Sequence, residues 1–122
     1  MADTVLVVED DDQVRNLVAM ILRRLGHQTV EATNAWQALA ALQQPVDLVI
    51  LDLRMPYDIT GADLINTLRD LGRDVPVIVF SGWTEDLDDE LPPFVKAVLS
   101  KPVRVETFVE TVTRTLAGAG AN

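Results

Sequence analysis

Apolar residues along this chain fall into two alternating rhythms: short β-branched runs, and longer stretches spaced by three and four. Val5-Leu6-Val7-Val8 is an unbroken apolar run of the kind that fills a buried strand. Val14, Leu17, Val18, Ile21, Leu22 and Leu25 then recur at helical spacing, with Asp11 or Asp12 able to cap the helix and Gly26 able to end it. Residues 27–32 read as a second, weaker strand. Asn34 offers a cap for a helix over 35–43, with Trp36, Leu39 and Leu42 as its packing positions. Pro45 resets the chain, and 46–51 predicts the strongest strand, ending at Asp52. After a loop holding Pro56 and Gly61, residues Leu64, Ile65, Leu68 and Leu71 predict a third helix, closed by Gly72. A strand over 75–80 tolerates Pro76 near its start, and Ser81-Gly82 turns the chain. Residues 84–91 give at best a short acidic helix, stopped by Pro92-Pro93. Residues 94–99 read as the last strand, and Val105, Phe108, Val109, Val112 and Leu116 mark the last helix. Residues 118–122 read as a mobile tail.

Strand and helix thus alternate five times. That order predicts an α/β fold, a five-stranded parallel sheet between two helical layers with right-handed crossovers. The continuously apolar central strands fit burial on both faces. At 122 residues the chain is one domain, with a core over about 4–117. Ten Lys plus Arg against 19 Asp plus Glu leave a net charge of −9, which argues against nucleic acid or an anionic membrane as partner. With no Cys, disulfides, thiol catalysis and Cys-ligated zinc are excluded, and a reducing compartment is suited. No apolar run approaches the roughly 18 residues of a membrane span. The start, Met1-Ala2-Asp3-Thr4, is acidic and unlike a secretory signal.

Ligands of open parallel sheets sit beyond the carboxyl ends of the strands. The residues at those ends are Glu9 and Asp10, then Asp52, then Ser81, then Lys101. Each alone also fits a bland role: a helix cap, a turn residue, a surface charge. Their coincidence is the signal, since the chain has only two lysines, Lys96 and Lys101. Carboxylates a few Å apart repel unless a cation intervenes, and a hard divalent ion, Mg²⁺ before Ca²⁺, suits an all-oxygen site. A carboxylate beside such an ion can attack phosphorus, while a Lys and a hydroxyl share the charge on the phosphoryl oxygens.

These residues resemble the receiver domain of bacterial two-component response regulators. The matching stretches are Val5-Leu-Val-Val-Glu-Asp-Asp11, Asp47-Leu-Val-Ile-Leu-Asp-Leu-Arg-Met-Pro56, Val77-Ile-Val-Phe-Ser-Gly82 and Leu99-Ser-Lys-Pro102. The resemblance covers nearly the whole chain. It implies a flavodoxin-like (βα)5 three-layer sandwich with strand order 2-1-3-4-5. It implies phosphorylation of Asp52 by a sensor histidine kinase or a histidine phosphotransfer domain, in the cytoplasm. Mg²⁺ would be held by Asp10 and Asp52, by Glu9 through water, and by the main-chain carbonyl of Arg54. Ser81 and Lys101 would hold the phosphoryl oxygens, and the bond before Pro102 would be cis. An unknown downstream protein, and a homodimer, would complete the partners. Such a domain is a switch, catalysing no more than its own phosphoryl transfer and dephosphorylation. It would be a stand-alone protein, a relay intermediate, or a piece of a hybrid histidine kinase.

Four departures from the family pattern stand out. Val98 occupies the position where the family usually has an aromatic ring, so a ring-rotation switch is not expected. The loop between Pro56 and Gly61 holds Tyr57-Asp58-Ile59-Thr60, one residue more than is common. The segment between Ser81 and Lys101 is short and cut by Pro92-Pro93, which places a reduced fourth helix on the presumed partner face. That segment also carries Glu85, Asp86, Asp88, Asp89 and Glu90, an acidic block suited to a basic partner. Arg54 and Trp83 are bulky residues placed to shield an acyl phosphate, implying a long-lived phosphorylated state.

Other functions fit less well. A phosphohydrolase of similar topology would carry a second Asp where Arg54 stands. A flavin would meet acids instead of a hydroxyl- and glycine-rich phosphate loop after the first strand. A phosphorylation-independent binding module would have no need of the full acid, hydroxyl and ammonium set. Trp36 reads as packing and His27 as a surface residue.

Overall fold

The computed structural model describes residues 3–56, 59–82, 84, 87 and 90–120. Strand β1 (Thr4–Val8) leads to helix α1 (Asp12–Arg24), β2 (Gln28–Ala32), α2 (Ala35–Ala41) and β3 (Leu48–Leu51). Then come α3 (Gly61–Asp70), β4 (Val77–Ser81), β5 (Val95–Ser100) and α4 (Val105–Gly120). All neighbouring strands pair in parallel, in the order β2-β1-β3-β4-β5. This is the flavodoxin-like arrangement that the alternation of elements predicts.

The period of two along each strand divides the core into two layers. Leu6, Val8, Val49, Leu51, Val77 and Val79 face α2 and α3, packing with Ala38, Leu42, Leu64, Ile65 and Leu68. Val5, Val7, Leu48, Ile50 and Ile78 face α1 and α4, packing with Val18, Leu22, Phe108 and Val112. Phe80 and Phe108 join the second layer with ring centroids 5.6 Å apart. Strand β3 is buried at every residue, as a strand covered on both faces must be.

Local rules set the boundaries. Asp11 caps α1 through hydrogen bonds from the Gln13 and Val14 amides, and Gly26 takes φ 94° to end it. Asn34 caps α2. Thr60 and Asp63 form a reciprocal capping box on α3, and Gly72 follows that helix with φ 69°. Pro76 has no N–H to give, so β4 begins one residue later and runs on to include Ser81.

Several expectations are corrected. Helix α4 continues to Gly120 instead of giving way to a tail at Gly118, because no proline interrupts it and the alanines there favour helix. Trp36 is 62% exposed and not packing, because Ala35, Ala38 and Leu42 take the face of α2 toward the sheet. His27 is not a free surface residue: its ring is largely covered, and its Nδ1 accepts a hydrogen bond from the Asp3 amide at 3.4 Å. Between β4 and β5 the described residues form no α-helix, and the Leu87 amide donates to the Thr84 carbonyl. Most of the acidic block lies outside the described residues, as do Trp83 and residues 57–58.

Core and surface predict opposite mutational outcomes. Leu64 is fully buried between α3 and the sheet, so Leu64→Ala should cost about 2–5 kcal/mol in urea denaturation. Trp36→Ala should stay within about 0.5 kcal/mol of the parent.

Candidate phosphoacceptor and metal site

The sheet ladder itself aims the acids. The Glu9 amide donates to the Ala32 carbonyl of β2, and the Asp52 amide donates to the Val8 carbonyl of β1, each at 3.0 Å. Both residues therefore stand one step beyond a strand, held by main-chain bonds. Glu9 is 4% exposed and Asp52 7%, which brings two carboxyl groups into a poorly solvated edge. Ser81, at the end of β4, is fully buried, and its hydroxyl donates to the Asp52 carboxylate. The Lys101 amide donates to the Ser81 carbonyl at 2.9 Å, and the Lys101–Pro102 bond is cis.

Lys101 Nζ lies 2.5 Å from Glu9 Oε1 and 3.1 Å from Asp52 Oδ2. Its ammonium also stands 5.3 Å from the centroid of the Phe80 ring. Burial pushes the Glu9 carboxyl up to about 7, with the neighbouring Asp52 charge adding to the effect and Lys101 opposing it. Burial also raises Asp52, but the Ser81 hydroxyl, Glu9 and Lys101 outweigh it and hold Asp52 below the ordinary carboxylate range. Burial lowers Lys101, yet its two carboxylate partners more than reverse this. Asp52 is thus the acid more readily ionised, and Glu9 the one whose proton is held more tightly.

Carboxylate oxygens of Glu9, Asp10 and Asp52 lie within 4.8 Å of one another. Three hard oxygen donors, with Asp10 exposed, fit a small divalent cation that keeps several waters. Asp11 is drawn away by its capping bonds to α1. These acids, Arg54, Met55, Pro56 and Lys101 line an open cleft of about 410 Å³. The Arg54 amide donates to Asp52 Oδ1 at 3.3 Å, and its side chain is exposed at the rim. Val98 lies apart from the cluster, 39% exposed on edge strand β5. Trp83, the other residue expected to shield the site, is outside the described residues.

Gly61, a loop residue by its sequence, packs directly on the main chain of Asp52 and Leu53. Its amide donates to the Leu53 carbonyl at 2.8 Å. A Cβ there would sit 2.4 Å from the Asp52 carbonyl oxygen and 2.6 Å from Leu53 Cα, so any side chain would displace the acceptor segment. Arg15, whose residue type and position gave no signal in the sequence, contacts the acidic loop through the Glu9 carbonyl and Asp12.

Residues 5–113 match the family description "Response regulator receiver domain". The chain belongs to the response regulator receiver domain family. Among curated relatives, the response regulator DivK of Brucella anthropi is 28% identical over 117 residues, spanning 92% of this chain and 94% of its own. A probable transcriptional regulatory protein of a Picosynechococcus strain is 34% identical over 115 residues, spanning 86% of this chain but 45% of its own. The chain thus spans less than half the length of several curated relatives that it matches. A CheY-like receiver domain from Methylobacillus flagellatus superposes with TM-score 0.81 at 25% identity, covering 94% of this chain and 99% of that one. TrrA of Thermotoga maritima, solved in complex with Mg²⁺–BeF, gives TM-score 0.82 at 25% identity over 93% of this chain and 98% of its own.

The receiver's acid pair should be visible in its stability. A carboxyl raised in the folded state contributes stability below its unfolded pKa of 4.5, lost as pH rises through about 7. Asp52 has the opposite sign: its contribution is present above 3.8 and is lost only in acid. In a metal chelator, urea denaturation should therefore show stability falling by ~2 kcal/mol from about pH 5 to about pH 8. Glu9→Gln should flatten that fall.

Proposed function

We propose that this receiver domain is a phosphorylation-driven switch in which Asp52 accepts a phosphoryl group from a phosphohistidine of a sensor histidine kinase or histidine phosphotransfer domain. The observation that carries the reading is the shared ammonium of Lys101, which spans Glu9 and Asp52 beside Asp10 at one edge of the sheet. A carboxylate kept ionised is a competent nucleophile.

In the transfer, an Asp52 carboxylate oxygen forms a bond to phosphorus as the phosphorus–nitrogen bond of the donor breaks, and the imidazole leaves with the electron pair. Lys101 and the Ser81 hydroxyl supply positive charge and a hydrogen bond to the phosphoryl oxygens. Mg²⁺ bound by Asp10, Asp52, Glu9 through water and the Arg54 carbonyl would offset the charge of the acids and of the incoming group. The exposed Arg54 side chain shields the acyl phosphate from water. No second acid stands there to protonate a leaving alcohol, which supports a switch that turns over no external phosphate ester. The domain works in the cytoplasm, as a stand-alone protein or as part of a larger one, and passes its signal to a downstream protein.

The donor has a surface suited to it. Leu17, Ile21, Phe80, Pro102, Val103 and Val105 line an apolar groove of about 280 Å³ between α1 and the start of α4, and Lys101 lines it too. Leu17 and Val105 are half exposed. A helical partner seated there would bring a histidine up to the acceptor cleft through the residue that both share.

Two measurements test this reading. With acetyl phosphate and Mg²⁺, intact mass spectrometry should show one added phosphoryl group on the wild type and none on Asp52→Asn; an unmodified wild type would sink the proposal. Leu17→Asp should slow transfer from a phosphorylated histidine phosphotransfer domain by about ten-fold or more. It should leave labelling by acetyl phosphate unchanged, since that donor needs no docking face.

A further inference from the structure

The Arg15 guanidinium holds three partners around the acidic loop. Nη1 donates to the Glu9 main-chain carbonyl at 3.0 Å, and Nη2 donates to Asp12 Oδ1 at 2.6 Å. Nε lies 3.3 Å from Glu31 Oε1 on β2. The Arg15 side chain is only 13% exposed, whereas Asp12 is 79% exposed. Arg15 stands in the first turn of α1, and side chains on a helix lean toward its N-terminus. The fork therefore reaches back over the loop that precedes its own helix. Glu31 is held in turn by Arg23 at 3.3 Å, so the loop is tied to β2 through a side-chain chain of opposite charges.

From these contacts we infer that Arg15 is a positioning residue for the divalent-cation site. It fixes the main chain on one side of Asp10, through the Glu9 carbonyl, while the Asp11 cap fixes the other side. Asp10, exposed between these two anchors, is thereby presented toward Glu9 and Asp52. Groups that orient metal-binding residues without touching the ion typically contribute 10–100-fold to affinity. This inference rests on the metal site proposed above.

The sign of the effect separates positioning from simple electrostatics. Arg15 is a cation beside a cation site. Through space alone, Arg15→Met would tighten Mg²⁺ binding, and Arg15→Lys would leave it unchanged. Positioning requires the reverse. A lysine ammonium is a point donor and does not reproduce a planar fork across three acceptors. Calorimetric titration of the full chain with Mg²⁺ should therefore give weaker binding by about ten-fold in Arg15→Met and by several-fold in Arg15→Lys. Melting in chelator shows whether each variant folds, and the charge-conserving lysine keeps the test available if the methionine variant does not. At saturating Mg²⁺, acetyl phosphate labelling of Asp52 should return to the wild-type rate, because only the metal's site has been loosened. Unchanged affinity in Arg15→Lys, or unchanged or tighter affinity in Arg15→Met, would overturn the positioning role. A wild type that takes up no Mg²⁺ would instead overturn the metal site itself, and this inference with it.

Discussion

Two buried acids facing each other across adjacent strand ends are the constraint around which this domain is arranged. Glu9 and Asp52 are both nearly excluded from water, where two like charges cannot coexist unaided. The structure meets the conflict with one ammonium shared between them, a Glu9 carboxyl whose ionisation is pushed up to higher pH, and one hydroxyl bonded to Asp52. Each device requires a residue from a different strand. The site therefore exists only if β1, β3, β4 and β5 finish at the same edge.

That requirement reaches deep into the core. The parallel register sets Val8 beside Leu51, and Ser81 beside Ser100, so the residues just beyond converge. A slip of one residue in β3 would turn Asp52 toward the other face and move Val49 and Leu51 out of the layer they fill under α2 and α3. The two hydrophobic layers thus hold the chemistry in place as much as the site's own hydrogen bonds do. Gly61 belongs to the same logic, since α3 can start against the Asp52 carbonyl only where no side chain intervenes.

The strands and the acceptor cluster were legible in the sequence because both obey short-range rules. A run such as Val46 to Leu51 has one reading, and an open parallel sheet delivers the residues after its strands to one edge. Helix faces were harder. Trp36, Leu39 and Leu42 have helical spacing, but alanines compete for the sheet, and small residues decide how closely α2 approaches it. Helical spacing couples Arg15 to Asp12, but its other two partners, a main-chain carbonyl and a strand residue sixteen positions away, obey no spacing rule. His27 hides similarly, its partner being the start of the chain brought beside it by β1–β2 pairing. The end of α4 was misplaced because glycine weakens a helix without forbidding it.

The edge strand shows what the same constraint means for a signal leaving the site. In β5, Ala97 and Leu99 turn inward toward α1 and α4, while Lys96, Val98 and Ser100 lie on the exposed face. A branched valine at position 98 has no long lever to swing between buried and exposed positions. Among the described residues, one contact between the loop after β4 and strand β5 is polar: Thr84 Oγ1 and Ser100 Oγ lie 3.1 Å apart. Ser100 is joined in the chain to Lys101, and Thr84 follows Ser81 by three residues. Ser81 and Lys101, joined directly by the Lys101 amide on the Ser81 carbonyl, are thereby flanked by a second link through hydroxyls. The loop after β4 is thus joined to β5 by a hydrogen bond between side chains, at a strand whose outward position 98 is a valine.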